Sequence, residues 1–344
     1  MLYSRNYYRK KIDMEQQLDF VAIGDTVVDA FIRLKEAHTT CDADTGAGEL
    51  HMAFGAKIPY EFVNVIYAVG NSANASVSAS RLGLKSALIT NLGQDDDGER
   101  CLKSLAKDNV STQYVRMHDD KKTNYHYVLW FGSERTILIK HEVFPYTLPL
   151  ETLGPRWLYL SSLGETSLEF HHEIARYLAS HPETKLVFQP GTFQIKLGAE
   201  TLKDVYAHTE VFFCNVEEAR LILKTEEPEP AKLARMMAAL GPKVNVITDG
   251  QKGAYVYDGT DVWFMPPYPD PVPPYERTGA GDAFASTFVS ALALGKTPSE
   301  AITWAPINSM SVVQKIGAQE GLLSREALEK YLAEAPENYK STKV

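Results

Sequence analysis

Residues 157–188, WLYLSSLGETSLEFHHEIARYLASHPETKLVF, decide the fold class. Two short apolar runs in this stretch, Trp157–Ser161 and Lys185–Phe188, predict buried strands, and Leu168–Ala179 between them predicts a helix. Two strands joined by a helix form the crossover unit from which parallel sheets are built. The stretch therefore predicts part of a parallel sheet that is covered by helices.

The same alternation continues on both sides of this unit. Apolar runs predict further strands at Leu18–Gly24, Ser86–Leu92, Val211–Cys214 and Val244–Thr248. Further helices are predicted at Asn71–Leu82, at Asp97–Asp108, from Val216, and over Gly281–Gly295 and Pro298–Ile316. This many alternating units favour an α/β fold with a doubly wound, mainly parallel central sheet flanked by helices.

One segment breaks the alternation. Asn124–Phe131 and Arg135–His141 are strand-like runs joined by Gly132-Ser133-Glu134, which predicts a β-hairpin. Together with Val27–Leu34 and Phe62–Ala68, the hairpin can form a small second sheet. We expect such a sheet to act as a lid over a ligand.

The length of 344 residues allows one large α/β domain. We expect a flexible leader over residues 1–17, the main domain over 18–335 and a C-terminal tail over 336–344. The lid strands are then drawn from about 26–34, 61–68 and 123–141 of the main domain.

Charge and cysteine content narrow the class of partner. The formal net charge is −9, and an acidic chain without a long basic run is poorly suited to the phosphate backbone of nucleic acid. Cys41, Cys101 and Cys214 lie far apart, which is typical of a reducing compartment and predicts a cytoplasmic protein. No apolar run in the sequence reaches the ~18 residues of a membrane-spanning helix. We expect a small-molecule ligand, with no nucleic acid and no membrane.

The strongest local signal is Thr278–Asp282, TGAGD, which leads directly into AFASTFVSALALG. Gly279 and Gly281 allow the backbone amides to point outward without steric cost, and a helix that begins here adds partial positive charge. The turn therefore suits an anion such as phosphate. Asp282 in the first helical turn has two interpretations: a helix cap, or a general base beside the bound anion.

Asp282 and the glycines before it resemble the second signature of the ribokinase-like (PfkB) carbohydrate kinases, whose usual form is DTxGAGD. Gly70–Asn74, GNSAN, resembles the first signature of this family, GGxxxN. Gly24–Asp29, GDTVVD, resembles its first-strand motif, in which the final Asp binds substrate hydroxyls.

Three later segments resemble the same family in the expected order. Asn215–Glu218 resembles the NxxE motif, which helps to organise magnesium and phosphate. Thr248–Gly250 with Lys252–Ala254 resembles the TxGxxGA turn that lines the nucleotide, and Gly317-Ala318 matches a late Gly-Ala pair. The resemblance covers about residues 20–323.

The resemblance implies an ATP-dependent phosphotransferase that acts on a hydroxyl of a sugar or sugar-like molecule. It implies roles for these residues: catalytic, Asp282 with Gly279, Ala280 and Gly281; substrate-binding, Asp29, Gly70, Asn71 and Asn74; nucleotide-binding, Asn215, Thr248, Gly250, Gly253 and Asn308; and metal-binding, Glu218. Glu218 would hold Mg²⁺ through water, since this ion gives up its water ligands reluctantly. Two alternatives stay open: a nucleoside (adenosine-type) kinase of the same fold, and a non-catalytic sugar- or nucleotide-binding protein.

The sequence departs from the family pattern at three positions. Val69 replaces the first Gly of GGxxxN, and Glu276 and Arg277 replace the Asp-Thr before GAGD. Because that Asp helps to form a monovalent-cation site in the family, activation by potassium is doubtful here.

Aromatic residues of the predicted hairpin alternate between its two faces. By this alternation Tyr125, Tyr127 and Phe131 share one face, while His126 and Trp130 share the other. The first face can stack on a sugar or a nucleobase. It can equally pack on its own domain or on a second subunit, which would give a homodimer through the lid.

Overall fold

The computed structural model describes residues 17–41, 48–132, 134–149 and 154–344. The predicted leader, apart from Gln17, lies outside the described residues. The strands, in chain order, are β1 (Phe20–Ile23), β2 (Val27–Leu34), β3 (His38–Cys41), β4 (Gly48–His51), β5 (Tyr60–Val69), β6 (Ser86–Gly93), β7 (Val115–His118), β8 (Asn124–Phe131), β9 (Glu134–Leu138), β10 (Trp157–Leu160), β11 (Lys185–Phe188), β12 (Thr209–Asn215), β13 (Val244–Thr248), β14 (Ala254–Tyr257), β15 (Val262–Met265) and β16 (Thr342–Lys343).

The α-helices of the described residues follow the same chain order. They are α1 (Asn71–Arg81), α2 (Asp96–Lys107), α3 (Leu168–Ser180), α4 (Thr192–Leu197), α5 (Lys203–Ala207), α6 (Val216–Leu223), α7 (Pro230–Met237), α8 (Ala280–Ala293), α9 (Pro298–Val312) and α10 (Arg325–Ala333). Within this part of the chain, no helix is both long and apolar enough to cross a membrane.

The central sheet has ten strands in the order β16-β15-β14-β13-β12-β11-β10-β1-β6-β7. The strands from β7 to β13 in this order are parallel, and β14 to β16 add an antiparallel edge. The first predicted unit is confirmed directly, because Trp157 of β10 pairs with Lys185 of β11 in parallel register. The predicted fold class, a mainly parallel sheet flanked by helices with a small separate sheet, is confirmed.

The core lies on both faces of the central sheet. Phe20 and Ala22 of β1 belong to one apolar cluster, whereas the intervening Val21 and Ile23 belong to the other. This division follows from the alternation of side chains along a strand. Helices α1, α8 and α9 contribute to the first cluster, and α3, α6 and α7 contribute to the second. A sheet buried on both faces presents its strand ends, rather than its surfaces, to a ligand.

The small sheet contains β2, β5, β8 and β9 in the order β5-β2-β8-β9. β2 pairs with β5 in antiparallel and with β8 in parallel register, and the hairpin β8–β9 is antiparallel. The parallel register places Asp29 beside His126. The predicted second strand of the hairpin, Arg135–His141, is shorter in the structure because β9 ends at Leu138.

The C-terminal residues 336–344, which the sequence predicted as a tail, pack on the domain instead. Tyr339 is buried and donates a hydrogen bond from its hydroxyl to the carbonyl of Thr303, 2.6 Å away. Thr342 pairs with Phe264, so β16 forms an edge strand of the central sheet. A short polar segment gives little sequence signal for such pairing, which explains why the prediction was wrong.

Candidate active site

The candidate active site lies where the parallel strands end at their carboxyl termini. Open α/β sheets bind ligands at this edge. Asp25 follows β1, Ser162 follows β10 and Thr192 follows β11, and all three line one cavity. Thr248 ends β13 and lines a second cavity.

The two cavities share one wall. The smaller cavity, of about 220 Å³, is mainly apolar and is lined by side chains that include Met265, Tyr268, Phe284 and Met310. The larger cavity, of about 690 Å³, is lined by polar groups that include Asp25, Asp29, Asn74, His126 and Asp282. Arg277, Ala280 and Gly281 line both. Residues from the start of the chain, such as Asp25 and Asp29, therefore face the same cavity as Asp282.

The shared wall is the glycine-rich turn at the start of α8. Gly279, the residue before the helix, has φ 82°, a left-handed conformation that favours glycine. A Cβ atom at Gly281 would meet no heavy atom of the described residues within 4 Å, so open space lies beside this residue. The first backbone amides of a helix have no partner within the helix. The turn thus offers free amides and a positive helix end to both cavities.

Asp282 does not cap this helix. Its carboxylate accepts hydrogen bonds from the side-chain amide of Asn71 at 2.7 Å and from that of Asn74 at 2.8 Å. Asn74 is itself fixed, because its Oδ1 accepts from Gln319 Nε2 at 3.0 Å. Burial raises the pKa of the Asp282 carboxyl, and the bonds from Asn74 and Asn71 offset part of this rise. The carboxylate is therefore buried, oriented and directed to a cavity, as a proton acceptor needs to be.

Asn71 and Asn74, predicted to bind substrate, both line the larger cavity together with Gly70. Their hydrogen bonds to Asp282 are contacts that the sequence did not reveal. They orient the carboxylate that faces the same space.

Two predicted residues lie at the end of β12. Asn215 Oδ1 accepts from the backbone amide of Glu218 at 2.8 Å, and Glu218 Oε2 accepts from the amide of Asn215 at 2.9 Å. These reciprocal bonds form a capping box at the start of α6. Asn215 pairs in register with Thr248, which places the box beside the smaller cavity, and burial raises the pKa of Glu218.

The predicted nucleotide-binding residues divide into two groups. Thr248, Gly250 and Gly253 line the smaller cavity. Asn308 does not belong with them: it is fully buried, donates to Thr287 Oγ1 at 2.8 Å and accepts from the amide of Leu323 at 2.9 Å. The Asn308 side chain therefore links α9, on which it lies, to α8 and to the segment after α9. It stabilises the packing of these elements and does not face the smaller cavity, so its assignment to the nucleotide is corrected.

The buried carboxylate of Glu276 holds the first residue of the glycine-rich turn. Glu276 Oε1 accepts from the amide of Thr278 at 2.7 Å, and Arg135 Nη1 of the small sheet lies 3.5 Å from the same oxygen. Only 2% of Glu276 is exposed, so a positive charge nearby compensates a carboxylate that has little access to water. The sequence signal was the replacement at position 276, but its partner could not be read from local spacing.

Sequence reasoning also missed a group of polar residues in the larger cavity. Tyr146 donates its hydroxyl to Asp25 at 2.9 Å, and His126 Nδ1 lies 3.2 Å from Asp29 Oδ1. His141 Nδ1 lies 3.9 Å from Asp25 Oδ2. Alternation placed His126 opposite the tyrosines of β8, but its contact with Asp29 depends on the parallel pairing of β2 with β8.

Comparison with known proteins gives a consistent result. The model of the pfkB family carbohydrate kinases matches residues 56–325. The ribokinase of Bacillus subtilis is 29% identical over 271 residues, which cover 77% of this chain and 87% of that protein. A cytidine kinase of Thermococcus kodakarensis is 32% identical over 120 residues, covering 34% of this chain and 42% of that protein.

Solved structures share the fold at lower identity. The ribokinase of Arabidopsis thaliana, solved with ribose and ATP, superimposes with a TM-score of 0.74 at 17% identity, over 92% of this chain and 99% of that chain. The nucleoside kinase of Methanocaldococcus jannaschii gives a TM-score of 0.73 at 17% identity, with the same coverage.

Proposed function

The chain belongs to the pfkB family of carbohydrate kinases, and from this premise we propose that it transfers a phosphoryl group from ATP to a hydroxyl of a sugar or a nucleoside. One observation carries the proposal. The glycine-rich start of α8 lies between a cavity lined by few charged side chains and a larger one where many charged and amide side chains meet, and Asp282 faces the larger one. A phosphoryl group held at this turn would lie between its donor and its acceptor.

The smaller cavity suits the nucleotide. A putative ribokinase II of E. coli was solved in complex with ATP and Mg²⁺, and this chain shares its fold with a TM-score of 0.72. Apolar side chains such as Tyr268 and Phe284 fit a base, while the open space beside Gly281 fits a phosphate chain. ATP would supply the phosphoryl group and Mg²⁺ would offset its negative charge. Arg277, exposed on the shared wall, can contact the same phosphates.

Glu218 suits Mg²⁺ only through water. One oxygen of its carboxylate is already bonded to the amide of Asn215, which leaves little room for a direct bond to the ion. In the described ranges, no group of three or more His, Cys, Asp or Glu side chains is arranged to hold a metal. An ion that keeps most of its water ligands needs no such group.

Asp282 would take the proton from the attacking hydroxyl. Its raised pKa makes the carboxylate a better base near neutral pH than an exposed one would be. Asn71 and Asn74 hold it in place, and the amides of the turn from Gly279 to Gly281 stabilise the charge of the transferring group. Asp29 Oδ1, buried and without a hydrogen-bond partner among the described residues, would accept a hydrogen bond from a neighbouring hydroxyl of the acceptor.

We also propose that the small sheet is the lid, within a domain that spans residue 18 to the C-terminal strand. His126, Arg135, Ile137 and Ile139 of this region line the larger cavity. Tyr127 and Leu138 pair with each other in register and are about half exposed, which supports the homodimer predicted from the sequence. The buried thiols of Cys101 and Cys214 are free, in keeping with the cytoplasmic location that the sequence predicted.

The acceptor class is decided by a substrate panel. With ATP and Mg²⁺ present, we expect at least one pentose, hexose or nucleoside to raise ADP release tenfold or more above the rate without acceptor. A nucleoside is the second candidate, because Phe193 lines the larger cavity and the cytidine kinase of T. kodakarensis is among the relatives. Binding of acceptors without any ADP release across the panel would instead support a non-catalytic binding protein.

Arg135 provides a second test, which concerns the lid. We expect Arg135→Gln to lower kcat about tenfold, because Glu276 loses its positive neighbour and its hold on Thr278 relaxes. Steady-state kinetics measure the effect. Lys140→Gln is the control, since within the described part of the chain Lys140 pairs only with Glu142 at the surface. Equal rates in the two variants would contradict the role of Arg135.

The Arg135–Glu276 pair bears on the monovalent cation as well. Arg135 already brings a positive charge to Glu276, the position at which the family carries an Asp of the cation site. This is in keeping with the sequence-based expectation that activation by potassium is doubtful.

A further inference from the structure

Two histidines connect the two carboxylates of the larger cavity. His126 on β8 lies against Asp29, and His141, beyond the end of β9, lies against Asp25. Between the histidines, the Nε2 atoms are 2.9 Å apart, which is a hydrogen-bond distance. The four side chains thus form a continuous row along the cavity wall.

The orientation of the rings supports a hydrogen bond rather than stacking. The ring centroids lie 5.0 Å apart and the ring planes are inclined by 21°. If the two rings were stacked face to face, their centroids would be about as close as their nearest atoms. The centroids are instead farther apart than the Nε2 atoms by about two ring radii, so the imidazoles meet edge to edge. An N–H bond lies in the plane of its ring and can therefore point directly at the other Nε2.

The number of protons follows from this geometry. Two lone pairs, or two N–H groups, would repel each other across the 2.9 Å gap, so one Nε2 carries a proton and the other accepts it. His126 Nδ1 lies 3.2 Å from a carboxylate oxygen of Asp29 and His141 Nδ1 lies 3.9 Å from one of Asp25, and the negative charge of each carboxylate favours a proton on the nitrogen beside it. Three protons on four ring nitrogens give the pair one positive charge, held between Asp25 and Asp29.

We propose that His126 and His141 share this single proton and act together as positioning residues that orient the Asp29 carboxylate toward the acceptor. Sharing of the proton by the two histidines does not depend on what the protein does. Their effect on the acceptor, in contrast, rests on the proposed function. Asp29 supports the second part, because it is buried in the wall of the larger cavity and His126 Nδ1 lies 3.2 Å from its Oδ1.

Acidification should disrupt this arrangement. A second proton on the pair would place two N–H groups against each other, and a proton on Asp25 would remove the acceptor for His141. Burial raises the pKa of Asp25 to about 6, and burial together with His126 lowers the pKa of His141. The other charged or titratable groups that face the row are Asp282, Arg135, Arg277, Lys196 and Tyr146. Because Asp25 gains its proton near pH 6, acceptor binding should weaken as pH falls through this value.

Ring-nitrogen NMR of the full-length protein tests the shared proton directly. We expect His126 and His141 to titrate as a coupled pair, and His126→Asn to raise the pKa of His141. Asn places an amide near the position of Nδ1 and nothing near that of Nε2, so it retains the carboxylate contact and removes the link. Independent titration of the two rings, or an unchanged His141 pKa in His126→Asn, would overturn the proposal.

Kinetics test the positioning role. With an acceptor from the panel, we expect His126→Asn and His141→Asn each to raise its KM about tenfold at pH 7.5 while the KM for ATP stays within twofold. Wild-type KM for the acceptor should rise at least fivefold from pH 7.5 to 5.5, and the variants should lose this dependence. His208→Asn is the control, because His208 is exposed and, among the described residues, its ring is bonded only to the Asp204 carbonyl.

The outcomes separate the two proposals. A coupled NMR titration with unchanged acceptor KM in both variants would overturn the positioning role and leave the kinase intact. A panel with no phosphorylated acceptor would overturn the proposed function, while the NMR experiment would still decide whether the proton is shared.

Discussion

Asp282→Asn is expected to lower kcat by about 10² to 10⁴-fold, the usual contribution of a positioned general base, or roughly 3–5 kcal/mol of barrier. The amide has nearly the same shape as the carboxylate but cannot take the proton of the attacking hydroxyl. One of the two amides that now donate to Asp282, from Asn71 or Asn74, would also face a donor instead of an acceptor. Steady-state rates of ADP release with saturating ATP and acceptor measure the loss.

Two controls give this result its meaning. The affinity for ATP should stay within about threefold, because Asp282 lines the larger cavity and not the apolar one. Asp270→Asn, which changes an acid beside the apolar cavity, should keep most of its turnover. If Asp282→Asn kept kcat within tenfold of the wild type, the residue would not be the base.

Gly279→Ala is expected to lower kcat about 100-fold or more. Its φ of 82° already disfavours any side chain, by about 1–2 kcal/mol, and the new Cβ would lie 2.3 Å from Ala318 Cβ and 2.6 Å from Ala318 Cα. Because Ala318 contributes backbone to this clash, the turn itself has to move. A displacement of about 1 Å in a site that works by positioning costs on the order of 10²-fold. Kinetics and thermal unfolding of the same preparation separate rate from stability.

The chain contains a matched control at the other end of the same helix. Gly295 has φ 90°, yet a Cβ there would meet no heavy atom of the described residues within 4 Å. Gly295→Ala should therefore lose a similar amount of stability from backbone strain and keep its activity. Equal losses of activity in the two variants would show that strain, and not the position of the turn, explains the effect.

The central sheet was predictable because its signals are local. Each apolar run between polar turns predicts a strand. A helix between two successive runs predicts that the two strands are parallel, and Trp157 of β10 does pair in parallel with Lys185 of β11. The order of the strands could not be predicted, since β1 pairs with β6 and β10 from distant parts of the chain. The edge strand β16 was missed because its short polar sequence gives little signal for pairing.

The candidate site was predictable where a backbone pattern carries the chemistry. The sequence alone predicts that a helix begins directly after the glycine-rich turn, and α8 does begin there, at Ala280. Side-chain partners were not predictable, because they depend on how elements meet: Asn74 with Asp282, or His126 with Asp29. Asn308 shows the opposite error, in which a polar residue close to the site in sequence is used to join two helices.

The short connection between β1 and β2 has a mechanical consequence. β1 ends at Ile23 in the central sheet and β2 begins at Val27 in the small one, so this connection between the two sheets is three residues long. Asp29 and His126 are neighbours in register within the small sheet, whereas Asp282 lies on α8, which packs on the central sheet. Any rotation of the small sheet about residues 24–26 would therefore move both acceptor-facing groups together relative to the base. A closing motion of this kind would carry a bound acceptor toward the site of transfer, and its hydroxyl would arrive already aligned.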